Sequence, residues 1–462
     1  MADAQFDIAI VGGGPGGYVA AIRAAQLGFE TVVVEREHLG GICLNWGCIP
    51  TKALLRSSEV AHLIADLPKT GFEGPGARPV LHNVVQRSRD VAAQLSRGIG
   101  SLMKKHKVTV INGSAKLVEP GVLAVDGHDN VTATQIILAT GARAKVLPHL
   151  KVEDPRVWTY REAMMPDQIP DRLLVVGSGA IGMEFASFFA DMGSDVTVVE
   201  AVDRILPNED KDISKEALKL FKRQGLTVHT KATVEDIVPR TDFVRATIQT
   251  KKGELRERFD RVILAIGIDG NVENLGLEEL GVTTTKGHID VDEWGATNVP
   301  GLYAIGDVAG APWLAHKASH EAIICVEKIA GEVDVHPINK ALVPSCTYCR
   351  PQIASVGLTE AAAKKEVGAV AVGKFPFSAN GKALALGEAT GFVKTVFDKS
   401  TGRLLGAHMI GPEVTELIQG FAIACQMKAT KADLASVIFP HPTLSEAMHE
   451  ATLDAFGEVI HL

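Results

Sequence analysis

The chain has 462 residues, 46% of them hydrophobic and 22% charged, with a formal net charge of −8. That length exceeds one ordinary core, so roughly two to four domains are expected. No apolar run reaches the length of about 18 residues that a membrane helix needs. The acidic balance carries no nucleic-acid footprint, and Lys104, Lys105, His106 and Lys107 read as a solvated helix end. Six cysteines do not make a secreted disulfide framework. No basic-then-apolar leader precedes the first strand, so a cytoplasmic location is expected.

Residues 6–11 form an apolar strand, 12–17 a glycine-rich turn, 18–27 a helix, and 31–35 a second strand ending on Glu35. Gly12 permits the tight turn, Gly14 the close approach of a pyrophosphate, and Gly17 the packing of helix on strand. Glu35 is placed to accept hydrogen bonds from a ribose. Cys43 and Cys48 follow within GGICLNWGCIPTK, just ahead of a helical run over 51–60 that contains Lys52. A cysteine pair beside a dinucleotide unit points to electrons passing between sulfur and a cofactor. Both thiols are expected at a helix N-terminus, where the dipole lowers a thiol pKa from its usual value of about 8.5. The alternatives are buried structural thiols or half of a metal site. Metal pairs come as CxxC with a second pair, and Cys346 and Cys349 sit in what reads as a strand start. Cys325 and Cys425 fall in helical patterns and read as core. No metal site is expected.

Residues 60–109 alternate helical patterns with a Pro/Gly-rich loop over 68–79, and 136–141 is an apolar strand ending in glycine. The dinucleotide pattern then returns, with a strand at 173–176, Gly177, Gly179 and Gly182, a helix at 183–192, and a strand at 195–200 ending on Glu200. In both units the acid stands 23 positions after the first glycine. A carboxylate at Glu200 favours NAD over NADP, with Arg204 close behind. Two such units imply two dinucleotides. A second apolar strand ends at Gly267, and a strand-and-turn over 297–307 ends on Asp307, an acid that could hold a polyol. From about residue 344, strands at 353–356, 391–398 and 404–410 with helices near 412–428 and 443–456 read as a separate domain. There His441 lies between two prolines with Glu446 just beyond, a base-and-orienter arrangement.

In order along the whole chain, GGGPGG at 12–17, CLNWGC at 43–48, ATGA at 139–142, GSGAIGME at 177–184, AIGD at 304–307, LAHKA at 314–318 and HPTLSE at 441–446 resemble the pyridine nucleotide–disulfide oxidoreductases, most closely the dihydrolipoamide-oxidising branch. The resemblance implies an α/β chain with two Rossmann-like dinucleotide-binding domains in tandem plus an α+β C-terminal dimerisation domain. The expected bounds are 1–148 with 270–343 for FAD, 149–269 for NAD, and 344–462 for the interface. It implies a homodimer in which His441 of one subunit serves the disulfide of the other. Cys43 is then the interchange thiol, Cys48 the thiol against the flavin, and Glu446 the residue that orients His441. Lys52 is expected near the flavin and paired with Glu184. Asp307 is expected on the ribityl chain, Leu314, Ala315 and His316 along the ring system, and Ala115, Thr140, Gly141 and Ala142 in backbone contact with FAD. Gly267 and Ala232 are expected against NAD. The implied reaction oxidises protein-bound dihydrolipoamide and reduces NAD+. The implied partners are lipoyl domains and the acyltransferase core of 2-oxoacid dehydrogenase complexes, or the glycine-cleavage carrier protein, with neither nucleic acid nor membrane. Alternatives are another disulfide reductase, such as a glutathione reductase, or a non-catalytic flavoprotein scaffold. Departures from the family pattern stand at Phe439, at Ile268, Asp269 and Gly270, and over 348–352.

Overall fold

A computed structural model describes residues 5–74 and 76–462. The chain divides into two compact units: one of residues up to Leu54, His82–Lys145 and Gly267–Asn339, the other of Leu55–Leu81, Val146–Ile266 and Lys340–Leu462. Among the described residues no helix is long and apolar enough to cross a membrane.

In the first unit the strands Thr109–Asn112, Thr31–Glu35, Phe6–Val11, Val131–Leu138 and Leu302–Ala304 pair side by side, all parallel. Parallel sheets are covered on both faces, and the sequence of Phe6–Val11 reflects it. Ile8 and Ile10 pack on one side with Ala20, Ala24, Ile99, Met103, Cys325 and Val326. Ala9 and Val11 face the other way, against Leu117, Leu123 and Leu277. The helix Pro15–Gln26 begins three residues earlier than the expected 18–27, because Gly14 is extended and Pro15 sets the first helical position.

The second unit repeats the pattern in a five-stranded parallel sheet, ordered Thr227–Thr230, Asp195–Glu200, Arg172–Val176, Arg261–Leu264 and Val157–Trp158. The helix Ala180–Asp191 follows its glycine turn. The same unit holds an antiparallel sheet ordered Ser345–Thr347, Gln352–Gly357, Leu404–Gly411, Phe392–Asp398 and Val370–Pro376, with the helices Val414–Gln426 and Glu446–Asp454 sharing its core. The α/β class with two Rossmann-like sheets and an α+β C-terminal portion is thus observed. Cys325 and Cys425 are buried core thiols on helices, as expected.

Candidate active site

Both glycine turns are built alike. Gly12 and Gly177 have φ of +103° and +100°, and a Cβ on either would overlap a carbonyl, Ala139 O or Ala265 O respectively. A Cβ on Gly17 or Gly182 would overlap the carbonyl of Gly12 or Gly177. The middle glycines differ. At Gly14 the nearest atom to an added Cβ is 3.8 Å away, and at Gly179 nothing lies within 4 Å. Each of these open positions caps a 12-residue helix that has no side-chain cap. Bare N–H groups beneath an open glycine suit a pyrophosphate, so the residues present fit a dinucleotide in each turn.

The acids are held the same way. Glu35 accepts from Gly13 N at 2.6 Å and Glu37 N at 2.7 Å. Glu200 accepts from Ser178 N at 3.0 Å, Ser178 Oγ at 2.6 Å and Val202 N at 2.9 Å. Ala232 is buried beside it and donates its N–H to Glu200 O at 3.0 Å.

The cysteine segment lies directly on the first turn. Gly40 donates to Gly13 O at 2.8 Å, and a Cβ on Gly41 would stand 2.7 Å from Gly14 Cα. Cys43 follows inside the short helix Gly41–Trp46, and Cys48 opens the helix Cys48–Ala65. Both thiols thus lie in the first turn of a helix, as expected. The expected lowering of the thiol pKa is not found at Cys43. Its thiol is pushed well above the ordinary range, first by donating a hydrogen bond to Cys48 and then by burial, with Lys52 opposing. Lys52 stands one turn past Cys48 on the same helix face. Cys43 and Cys48 are both half-buried.

The long helix Leu81–Lys105 grips this segment, which the sequence pattern did not reveal. Arg89 donates to Asn45 O at 2.7 Å, Arg87 to Ala53 O at 2.9 Å, Ser96 to Leu39 O at 2.9 Å and Ser88 to Pro50 O at 3.2 Å. Arg89 also lies over the Trp46 ring. Tyr18 was missed as well. It packs against the same core as Cys43, and its hydroxyl is held above the usual range by burial and then by Cys43 and Cys48.

Asp307 lies in the turn Gly306–Ala309, its carboxyl raised above the usual range chiefly by burial. Lys317, fully buried, donates to Gly306 O at 3.0 Å and Gly310 O at 2.8 Å, and pairs with Glu321 at 3.0 Å. Glu321 in turn accepts from Gly306 N at 2.8 Å. This buckle holds the Asp307 turn, and its sequence signal was the four-residue spacing of Lys317 and Glu321. Leu314 caps the helix Ala315–Ile329, which places Ala315 and His316 in its first turn. Thr140 and Gly141 bind Asn271: Thr140 Oγ1 donates to Asn271 O at 2.8 Å, and Asn271 N donates to Gly141 O at 2.9 Å. Ala142 begins the strand Ala142–Ala144, Ala115 the strand Ala115–Glu119, and Gly267 O accepts from Lys145 N at 3.0 Å.

In the second unit Glu184 is buried and accepts from Tyr348 N at 2.9 Å; its expected partner Lys52 belongs to the first unit. His441 is exposed, with Nδ1 2.9 Å from Glu446 Oε1. Burial alone would raise the Glu446 carboxyl, but the N–H of Thr443 and the His441 ring hold it below the usual range. An imidazole bonded to a carboxylate through Nδ1 keeps Nε2 for a proton in transit.

Residues 6–322 match the model of the pyridine nucleotide-disulphide oxidoreductases, and 343–452 match the dimerisation domain of the same family. The chain is 52% identical to a dihydrolipoyl dehydrogenase of Rhizobium etli, over 99% of each chain, and 51% identical to one of Zymomonas mobilis over the full length of both. Among solved structures it is similar to LpdA from Mycobacterium tuberculosis, with a TM-score of 0.90 at 29% identity over 96% of this chain and 99% of that one.

Proposed function

We propose that this chain, which belongs to the pyridine nucleotide-disulphide oxidoreductase family and whose curated relatives are named dihydrolipoyl dehydrogenase, oxidises protein-bound dihydrolipoyl groups to lipoyl groups and reduces NAD+ to NADH. The observation that carries the reading is the seating of Gly41 on Gly14, which lays the segment of Cys43 and Cys48 against a dinucleotide turn. FAD belongs in the first glycine turn and NAD in the second. Residues 1–148 with 270–343 form the flavin domain, 149–269 the nicotinamide domain, and 344–462 the face of a homodimer.

His441 of one subunit serves the Cys43–Cys48 disulfide of the other. With Nδ1 tied to Glu446, its Nε2 takes the proton of a substrate thiol. The gain is substantial, since a thiol of pKa about 8.5 is only about 3% thiolate at pH 7. The thiolate attacks the sulfur of Cys43 and expels Cys48 as thiolate. The second substrate sulfur then displaces Cys43, closing the lipoyl ring and leaving both electrons on the protein dithiol. In that reduced state Cys43 keeps its proton and donates it to Cys48, so the electron-rich sulfur is Cys48. Lys52 supplies the nearby positive charge. Bound FAD supplies the two-electron acceptor between Cys48 and nicotinamide. Asp307, Leu314, Ala315, His316, Ala115, Thr140, Gly141 and Ala142 hold that cofactor, and Glu200, Ala232 and Gly267 hold NAD. The partners are the lipoyl domains and acyltransferase core of 2-oxoacid dehydrogenase complexes, or the glycine-cleavage carrier, in the cytoplasm.

The test is anaerobic mixing of the flavin-loaded protein with dihydrolipoamide and then NAD+, followed in the visible spectrum. A long-wavelength thiolate-to-flavin band, followed by absorbance at about 340 nm from the nicotinamide product, is the expected result. A spectrum unmoved by dihydrolipoamide but altered by NADH would overturn the substrate and keep the disulfide-reductase class.

A further inference from the structure

The bonds from the helix Leu81–Lys105 to the cysteine segment do not all fall in the same place. Ser96 holds Leu39 O, before the cysteines, while Ser88 and Arg87 hold Pro50 O and Ala53 O, after them. Arg89 reaches between the sulfurs, at Asn45 O. A disulfide between Cys43 and Cys48 closes a loop through residues 44–47, so Asn45 O is a handle inside that loop.

The handle is well placed to be held. Asn45 stands in the last turn of the short helix Gly41–Trp46, where closing carbonyls have no partner further along their own helix. A cation is the favoured donor at a helix C-terminus, and here it comes from a different helix. The half-buried guanidinium of Arg89 bonds Asn45 O at 2.7 Å and lies 4.7 Å from the centre of the Trp46 ring. The next residue of the loop is thereby gripped as well.

Asn45 is fixed from its other side too. Its buried side chain runs back to the start of the helix, donating to Gly41 O at 2.9 Å and to Leu39 O at 3.1 Å. Carbonyl and side chain of one residue therefore tie the loop to the long helix and to the stretch seated on the first glycine turn. Within the segment so held, Cys43 donates its hydrogen bond to Cys48.

Closing a disulfide takes from a loop the freedom it has as a dithiol. An outside support that holds the loop in both states removes that freedom beforehand, which favours the disulfide. We infer that Arg89 is a positioning residue for the dithiol–disulfide step: it holds the loop between Cys43 and Cys48 near the shape the disulfide requires and shifts the equilibrium toward the disulfide. The sign separates this role from a purely electrostatic one. A cation acting on a thiolate stabilises the reduced pair, so its loss favours the disulfide, whereas loss of a support favours the dithiol. The inference rests on the reading of Cys43 and Cys48 as an exchanging pair.

The test equilibrates the flavin-loaded protein, without oxygen, in buffers of reduced and oxidised dithiothreitol. The protein disulfide takes two electrons and two protons from the reagent's dithiol, whose sulfurs join as a cyclic disulfide. Thiols at Cys43 and Cys48 are then alkylated in denaturant and counted by peptide mass. Arg89→Met, which keeps an unbranched chain but no donor, should move the equilibrium about tenfold toward the dithiol, a rise of about 30 mV. Arg89→Lys, with a flexible point charge in place of the planar fork, should move it about threefold the same way. It carries the test alone if the methionine variant does not fold. Arg87→Met, which releases Ala53 O outside the loop, should stay within about twofold of wild type. An unmoved equilibrium in the Arg89 variants, a shift toward the disulfide, or an equal shift in Arg87→Met would overturn the inference. A wild-type pair that forms no disulfide in any buffer would overturn the reading of the pair, and the inference with it.

Discussion

Glu35 and Glu200 grip the same two amides in their respective units: the residue after the first glycine of the turn, and the residue two places beyond the acid itself. Each carboxylate fastens its own turn. Glu200→Ala removes a charged acceptor worth about 1.5–3 kcal/mol per hydrogen bond. The expected outcome is a rise of at least about tenfold in KM for NAD+ with full flavin content. Glu35→Ala should do the reverse, shedding flavin on gel filtration. Flavin loss from the Glu200 variant would contradict the assignment of the two turns.

The His441–Glu446 pair predicts a graded series. His441→Gln should slow thiol exchange by about 10²–10⁴-fold, the range for loss of a general base, read in the rapid reduction phase with dihydrolipoamide. Glu446→Gln should fall less, since it only orients the ring. Because the folded state holds Glu446 below its ordinary value, its contribution to stability is present at neutral pH and is lost as pH falls through the carboxylate range. Near-normal reduction by the His441 variant would remove it from the reaction.

Glu209 predicts the opposite slope. Its carboxyl is raised from 4.5 to about 7 in the folded chain, so the native state binds the extra proton between those values. Stability therefore falls as pH rises across that window and stays lower above it. Glu209→Gln should be the more stable protein at high pH, by on the order of 3 kcal/mol, and close to wild type at about pH 4 to 4.5. Urea midpoints measured at both ends check the sign.

Lys394 is buried among three carboxylates. Lys394→Met leaves buried Asp210 without its cation, while Asp212 keeps Lys374 and Glu360 keeps Lys364, and breaking one partner of a buried network costs about 3–5 kcal/mol. The loss should appear in the urea midpoint of the flavin-loaded protein. Lys374→Met, at a side chain that is 42% exposed, should cost far less.

The strands Phe6–Val11, Thr31–Glu35 and Asp195–Glu200 were legible to the residue, because a short apolar run leading into a glycine turn, or one ending on an acid after the turn's helix, has few other readings. The neighbourhood of Cys43 and Cys48 was legible from the motif, but the state of the thiols was not. The mutual hydrogen bond and the burial that raise Cys43 come from tertiary packing, which no spacing encodes. The strand Val370–Pro376 escaped notice, since its alternating, half-buried pattern is interrupted by Gly373 and Lys374. Ser355, His408, Lys394 and Lys374, which stand opposite one another in turn across the antiparallel sheet, escaped for a related reason: they lie on four strands, and only the register brings them together.

The helix Leu81–Lys105 holds the cysteine segment through hydrogen bonds to the carbonyl oxygens of Leu39, Asn45, Pro50 and Ala53, with Arg89 over the Trp46 ring. The clamp therefore falls on main chain before, between and after Cys43 and Cys48. Any bond made or broken between those two sulfurs is made on a backbone frame that a separate helix holds in place.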